Sequence, residues 1–145
     1  MFMGEFTPKL DDKGRFFLPT RFREDLKDGM TMVRQPERCL AIWPAKTFLE
    51  TVASPAMGQL RDQSNRHFQR MTGSSSPVEI DGQGRVLIPP RLRAYAGLDK
   101  EIVVIGSLDH VEVWDAQAWD EYLAVQEEEY ANLNEKEGAR PDPTD

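Results

Sequence analysis

A fourteen-residue stretch occurs twice, seventy positions apart, and this duplication constrains the fold more than any other feature of the chain. Leu10-Asp11-Asp12-Lys13-Gly14-Arg15-Phe16-Phe17-Leu18-Pro19-Thr20-Arg21-Phe22-Arg23 is matched by Ile80-Asp81-Gly82-Gln83-Gly84-Arg85-Val86-Leu87-Ile88-Pro89-Pro90-Arg91-Leu92-Arg93. The likeness continues, with one added residue, from Leu40-Ala41-Ile42-Trp43 to Val111-Glu112-Val113-Trp114, and Phe48 then matches Trp119. Two copies make a duplicated module rather than a solenoid.

Each copy can be read locally. Asp-x-x-Gly-Arg is turn chemistry: Asp11 and Asp81 open a turn through their side chains, and Gly14 and Gly84 supply the positive φ before a strand. Strand alternation puts Arg15 and Phe17 on one face and Phe16 and Leu18 on the other; Arg85 and Leu87 likewise oppose Val86 and Ile88. Pro19 ends the first strand. Thr20 is expected to cap a short helix over 21–27, with Pro90 in the first turn of its counterpart and Gly97 at its end. Hairpins follow, 30–35 with 39–43 and 101–105 with 111–114, each leading into a helix, 45–52 and 116–129. Between the copies, 58–72 reads as a helix with Leu60, Phe68 and Met71 as core contacts and Arg61, Arg66 and Arg70 solvated. Gly73 to Pro77 reads as a linker, and the chain beyond Leu133 as a frayed polar tail.

The chain divides accordingly into a first module (1–52), a helix and linker (53–76), a second module (77–123) and an acidic end (124–145). The fold class is α+β. Because one short hairpin cannot bury enough apolar surface alone, the two modules are expected to interleave into a pseudo-twofold, β-barrel-like core flanked by short helices.

Charge is unevenly spread. The net −7 argues against a polyanionic partner, but 112–145 alone carries −9 and the remainder +2. Five basic residues fall between Lys9 and Arg23, so a basic face is compatible with the total. With 39% hydrophobic and 30% charged residues, no apolar run of membrane length and no basic-then-apolar leader, a cytoplasmic chain is expected. The acidic end is expected to repel such a partner and limit nonspecific binding.

Enzymatic signals are thin. His67 and His110 stand in unrelated contexts without metal-ligand spacing, so both are read as structural, and no metal or cofactor is expected. No phosphate-cradling loop or nucleophile elbow is present. Asp11 and Asp81 suit turn capping better than paired acid–base work. The lone Cys39, in an apolar run, reads as a buried small hydrophobe. A pyruvoyl-type barrel enzyme would require self-cleavage at Gly73-Ser74 or Gly106-Ser107. A protein-only, antitoxin-like interaction module is the other competing class.

The repeated arginines are more informative. Arg15 and Arg85 at a hairpin tip can hydrogen-bond phosphate or guanine bidentately, or instead pair with Asp11 and Asp81 to brace the turn. Both readings stay open and are compatible. Lys13, Arg21, Arg23, Arg91 and Arg93 would add backbone contacts. Phe17 and Leu87 lie on the arginine side, where packing against another subunit is favoured over contact with thymine methyls. Trp43, Trp114 and Trp119 read as core or interface anchors, and Glu127 to Glu129 as a solvated helix face.

The opening Met1-Phe2-x-Gly4, the two Asp-x-x-x-Arg turns, Leu18-Pro19 and Glu112-Val113-Trp114 together resemble the MraZ family from the start to about Leu123. The resemblance implies two tandem AbrB-type swapped-hairpin domains. It further implies a transcriptional regulator of the division and cell-wall gene cluster, binding direct repeats of double-stranded DNA upstream of its own operon. Association with the nucleoid and closed homo-oligomeric rings are implied too. The family's DNA-contacting arginines fall on Arg15 and Arg85. Two features depart: Gln83 replaces the lysine of the first turn, and Phe17 is bulkier than the small hydroxyl residue expected there.

Overall fold

The computed structural model describes residues 1–57 and 63–133. In chain order come β1 (Glu5–Phe6), β2 (Arg15–Phe17), α1 (Thr20–Leu26), β3 (Met30–Gln35), β4 (Cys39–Pro44), α2 (Ala45–Phe48), α3 (Ser54–Met57) and α4 (Gln63–Gly73). Then follow β5 (Ser76–Val78), β6 (Arg85–Leu87), α5 (Pro90–Ala96), β7 (Ile102–Gly106), β8 (Val111–Asp115) and α6 (Ala116–Ala131). A 3-10 turn, Pro36–Arg38, links β3 to β4, and a π turn, Leu49–Ala53, carries α2 into α3.

The fold is mixed α+β, and its main sheet is antiparallel, in the order β1-β7-β8-β4-β3-β5. The two hairpins meet at its centre, where Leu40, Ala41 and Ile42 of β4 face Val113, Glu112 and Val111 of β8. Each edge strand comes from the opposite copy: β1 pairs with β7 and β5 with β3. A second, two-stranded ribbon pairs β2 with β6.

The expected barrel-like closure does not form. The edges of the six-stranded sheet, β1 and β5, do not pair with each other, and the ribbon stays separate. Its strands are three residues long and run into Pro19 and Pro89, which have no N–H to extend a ladder. The ribbon instead lies over one sheet face, where Phe16, Leu18, Val86 and Ile88 join Phe22, Leu92, Met32, Leu40, Ile42 and Val104 in one core. Side chains of this size contribute about 1.5–3 kcal/mol each when fully buried.

The opposite face holds two smaller clusters. Trp43, Val33 and Ala41 pack with Phe48 and Val52, while Cys39, Val103 and Trp114 pack with Trp119 and Tyr122 of α6. Cover on both faces explains why residues 39–43 are apolar without alternation. Trp114 and Trp119 meet edge-on at 5.1 Å, the first buried in the cluster and the second partly buried against it.

Several local expectations change. Pro19, not Thr20, occupies the N-cap of α1, and among the described residues no side-chain cap hydrogen bond forms. Asp115 does cap α6, accepting from the Ala118 N–H at 3.0 Å. Pro90 and the left-handed Gly97 (φ 61°) bound α5 as expected. Phe68 and Met71 are 50% and 46% exposed rather than core contacts, and α4 buries Thr72 instead. The 73–77 linker is shorter than read, since Ser76 already belongs to the edge strand beside Met32. Gly58, Leu60, Arg61 and the tail beyond 133 lie outside the described residues.

Candidate nucleic-acid interface

The two turns have the same construction. Asp11 Oδ1 accepts the backbone N–H groups of Lys13 and Arg15, both at 2.9 Å; Asp81 Oδ1 accepts those of Gln83 and Arg85 at 2.9 and 2.8 Å. Gly14 and Gly84 take φ of 83° and 87° to bring the chain round into β2 and β6. The second carboxylate oxygen accepts the Nε–H of Arg15 or Arg85, each at 2.8 Å. The bracing reading therefore holds. The Arg15 and Arg85 N–H groups, backbone first and then guanidinium, hold both carboxyls below their ordinary range despite some opposing desolvation.

Bracing leaves the binding chemistry intact. Each aspartate takes the Nε–H edge, and among the described residues neither arginine's Nη groups have a hydrogen-bond partner. The two Nη groups can still form a bidentate contact with phosphate or a base edge. The arginine side chains are 28% and 21% exposed, anchored at one end and open at the other.

The ribbon register assembles one surface from both copies. Arg15 faces Leu87 and Phe17 faces Arg85 across the strands, with Phe16 opposite Val86 between them. Opposed residues share a face, so Arg15, Phe17, Arg85 and Leu87 project outward together, while Phe16 and Val86 are 1% and 0% exposed beneath.

The other basic candidates divide. Lys13 and Arg91 are exposed, on the first turn and on α5. Arg21 is exposed but leans back, with Nη1 3.4 Å from the Met3 carbonyl and its guanidinium 5.9 Å from the Phe6 ring centre. Arg23 and Arg93 are half-buried and serve the fold. Their Nε–H groups donate to the carbonyls of Leu18 and Ile88 at 2.8 and 3.0 Å. Each guanidinium also covers the turn glycine of the other copy, Arg23 over Gly84 and Arg93 over Gly14. Local charge reveals the arginines but not this packing, whose only trace in the sequence is the repeated nine-residue spacing from Gly14 to Arg23 and from Gly84 to Arg93.

A second polar cluster, unrecognised in the sequence, joins the two hairpins. The His110 ring stacks on Trp43 with centroids 4.5 Å apart and contacts Asp109 Oδ1 at 2.8 Å and Glu112 Oε2 at 3.2 Å. Glu112 also accepts from Gln35 and from Trp114 Nε1. Burial disfavours the charged imidazole, but the bonds to Glu112 and Asp109 outweigh it and raise the His110 pKa above its usual 6.5. Burial pushes the Cys39 thiol up to about 12, with Glu112 and Glu37 adding to it. Among the described residues no group of three or more His, Cys, Asp or Glu is placed to hold a metal ion, and no helix is long and apolar enough to cross a membrane.

The fold and this surface define a duplicated α+β protein that presents matched arginines on a two-stranded ribbon. A family model described as "MraZ protein, putative antitoxin-like" matches residues 1–71 and again residues 71–140. A protein of Cutibacterium acnes named transcriptional regulator MraZ is 51% identical over 92% of this chain and 94% of its own length. Proteins of the same name from Corynebacterium urealyticum (48% identical; 90% and 92% covered) and a Parafrankia species (45%; 94% and 96%) are similar throughout. The chain belongs to the MraZ family.

Proposed function

We propose that this chain is a sequence-specific DNA-binding transcriptional regulator of the division and cell-wall gene cluster, its own operon included. One observation carries the reading: two guanidiniums from the two copies stand on one outward ribbon face, each held by an aspartate through Nε with its Nη edge open. A two-stranded ribbon fits the major groove, and arginine there recognises guanine O6 and N7. The relatives' shared name describes a regulator and no reaction.

In this reading residues 1–52 and 77–123 are AbrB-type swapped-hairpin modules related by a pseudo-twofold axis, joined by 53–76 and followed by the acidic 124–145. The exchanged pairings β1·β7, β3·β5 and β2·β6 support it. Several chains close into a ring. Exposed Leu49 and Phe68 supply apolar surface that a lone subunit leaves wet. Direct repeats then engage successive ribbon faces, and linkage strengthens individually weak contacts. Lys13, Arg21 and Arg91 add phosphate contacts, with Arg23 and Arg93 holding the ribbon beneath. The protein works in the cytoplasm, on the nucleoid, without a cofactor.

The test is binding to the duplex directly upstream of the chain's own reading frame, across a salt series. Arg15→Ala and Arg85→Ala are each expected to weaken binding by roughly 5–100-fold and the double variant further. Each phosphate no longer neutralised should flatten the slope of log affinity against log salt by about 0.9. Unchanged occupancy in the double variant would overturn the proposal in favour of a protein-only partner.

A further inference from the structure

We propose that Phe17 and Leu87 are specificity-determining residues that meet thymine C5-methyl groups in the major groove. The inference rests on the DNA-binding reading above and sharpens it, giving the ribbon a second recognition chemistry besides guanidinium–guanine contact.

The first observation is exposure. Phe17 and Leu87 are 54% and 51% exposed, whereas Phe16 and Val86 between them, together with Leu18 and Ile88, are all but sealed from solvent. The core is therefore completed by the inward row, and the fold does not require large apolar groups on the outward one. The same exception occurs at the same place in both copies.

The second is register. Each outward arginine has an apolar residue across the ribbon, Leu87 beside Arg15 and Phe17 beside Arg85, and another two positions along its own strand. Directly opposed Cβ atoms lie about 4.5–5.5 Å apart. Whatever the guanidiniums grip, the ring and the isobutyl group must touch as well. A phosphate track is a poor match, because it would bury apolar surface against charge. The major-groove edge suits both, since guanine offers O6 and N7 as acceptors and thymine offers a methyl; the minor groove has no methyl. The four side chains form a two-by-two pattern, with arginines on one diagonal and apolar groups on the other, and this pattern would read mixed G and T steps.

The third is charge. A symmetric contact between two copies through this face would bring four guanidiniums together, and Asp11 and Asp81 are already committed to their own arginines at 2.8 Å. Asp12, the one other acid on the two turns, is offset by the adjoining Lys13, so like charges oppose such an interface. The duplex supplies the missing anions.

The experiment compares two forms of the upstream duplex, one with thymidine and one with deoxyuridine throughout, which lacks only the methyls. Full-length protein is titrated against each by fluorescence anisotropy. The wild type should bind the deoxyuridine duplex more weakly, by about 4-fold for each methyl it buries. Phe17→Ala and Leu87→Ala should each weaken binding to the thymidine duplex and shrink the discrimination, and together abolish it. Arg15→Ala and Arg85→Ala should weaken binding to both duplexes while the discrimination persists. Equal binding of both duplexes by the wild type, with the arginine variants still weaker, overturns this proposal and leaves DNA binding standing. Binding of neither duplex removes the DNA-binding reading and this one with it. A fall in particle mass for Phe17→Ala/Leu87→Ala by light scattering without DNA, with no discrimination in the wild type, overturns the proposal in favour of a second copy of the chain on this face. The wild-type comparison decides the matter even where a variant fails to fold.

Discussion

Arg93 lies directly on Gly14: a Cβ built on the glycine would come within 2.5 Å of the guanidinium carbon. Arg23 and Gly84 repeat the relationship at 2.6 Å, so each copy's helix pins the other copy's turn. Backbone hydrogen bonds cross at the same places, from Leu18 N–H to the Gly84 carbonyl and from Ile88 N–H to the Gly14 carbonyl. The ribbon that carries Arg15 and Arg85 is thereby fixed in position.

Gly14→Ala should be destabilising. At φ 83° an alanine is strained by about 1–3 kcal/mol, and Arg93 must also move. The expected fall in Tm is about 3–10 °C, read by thermal unfolding at fixed protein concentration. The loss should be smaller in an Arg93→Ala background, where the displaced group is gone. Gly82→Ala, whose Cβ meets nothing within 4 Å among the described residues, is the matched control. Equal effects at Gly14 and Gly82 would contradict the packing.

Asp11→Asn separates bracing from folding. An asparagine carbonyl can still accept the N–H groups of Lys13 and Arg15, so the turn survives. Its amide, however, would face the Arg15 Nε–H donor to donor, and the clamp is lost. Far-ultraviolet circular dichroism should be unchanged, with DNA affinity lower by a smaller factor than for Arg15→Ala. Asp81→Asn should behave alike. An effect as large as arginine removal would show that the aspartate does more than orient its partner.

His110 gives the hairpin junction a pH signature. Its pKa is raised on folding, so its contribution is complete below the unfolded value of 6.5 and is lost as pH rises through the higher folded value. Glu112, held below 4.5 by His110, Trp114 and Gln35 against the opposing effect of burial, contributes fully above 4.5 and loses that contribution as pH falls through its lowered pKa. The stability difference between wild type and His110→Gln should therefore be largest between these limits and narrow as pH rises above 6.5. A difference that did not narrow above pH 6.5 would remove the charged pair from the account.

Cys39 should be inert in the folded protein. With its pKa at about 12, only about one part in ten thousand is thiolate at pH 8, and its side chain is buried against Trp114. A chromogenic disulfide reagent should label it only after unfolding in guanidinium. Rapid labelling of the native protein would place the residue at the surface.

The repeat made much of this architecture legible, because turn, strand and helix boundaries depend on local chemistry. Asp11, Gly14, Pro90 and Gly97 each act within a few residues of themselves. Contacts between distant segments were harder to read. β1 is too short to show a period, and nothing near Ser76 announces a strand whose partner is Met32. Phe68 and Met71 have helical spacing suited to a core, yet α4 turns them to solvent. Open sheet rather than barrel depends on where Pro19 and Pro89 stop two strands, a question of reach and not of pattern. At the site, the arginines were visible, but which of them grip a glycine and which stand free is decided by the opposite copy.

The central β4–β8 pairing and the reciprocal glycine latches make the duplication irreversible in an engineering sense. Parting the two halves would separate β2 from β6, β1 from β7 and β5 from β3 at a stroke. A single half expressed alone has a fold to adopt only by borrowing a twin. Any exchange of halves between relatives must likewise match turn to helix across the join.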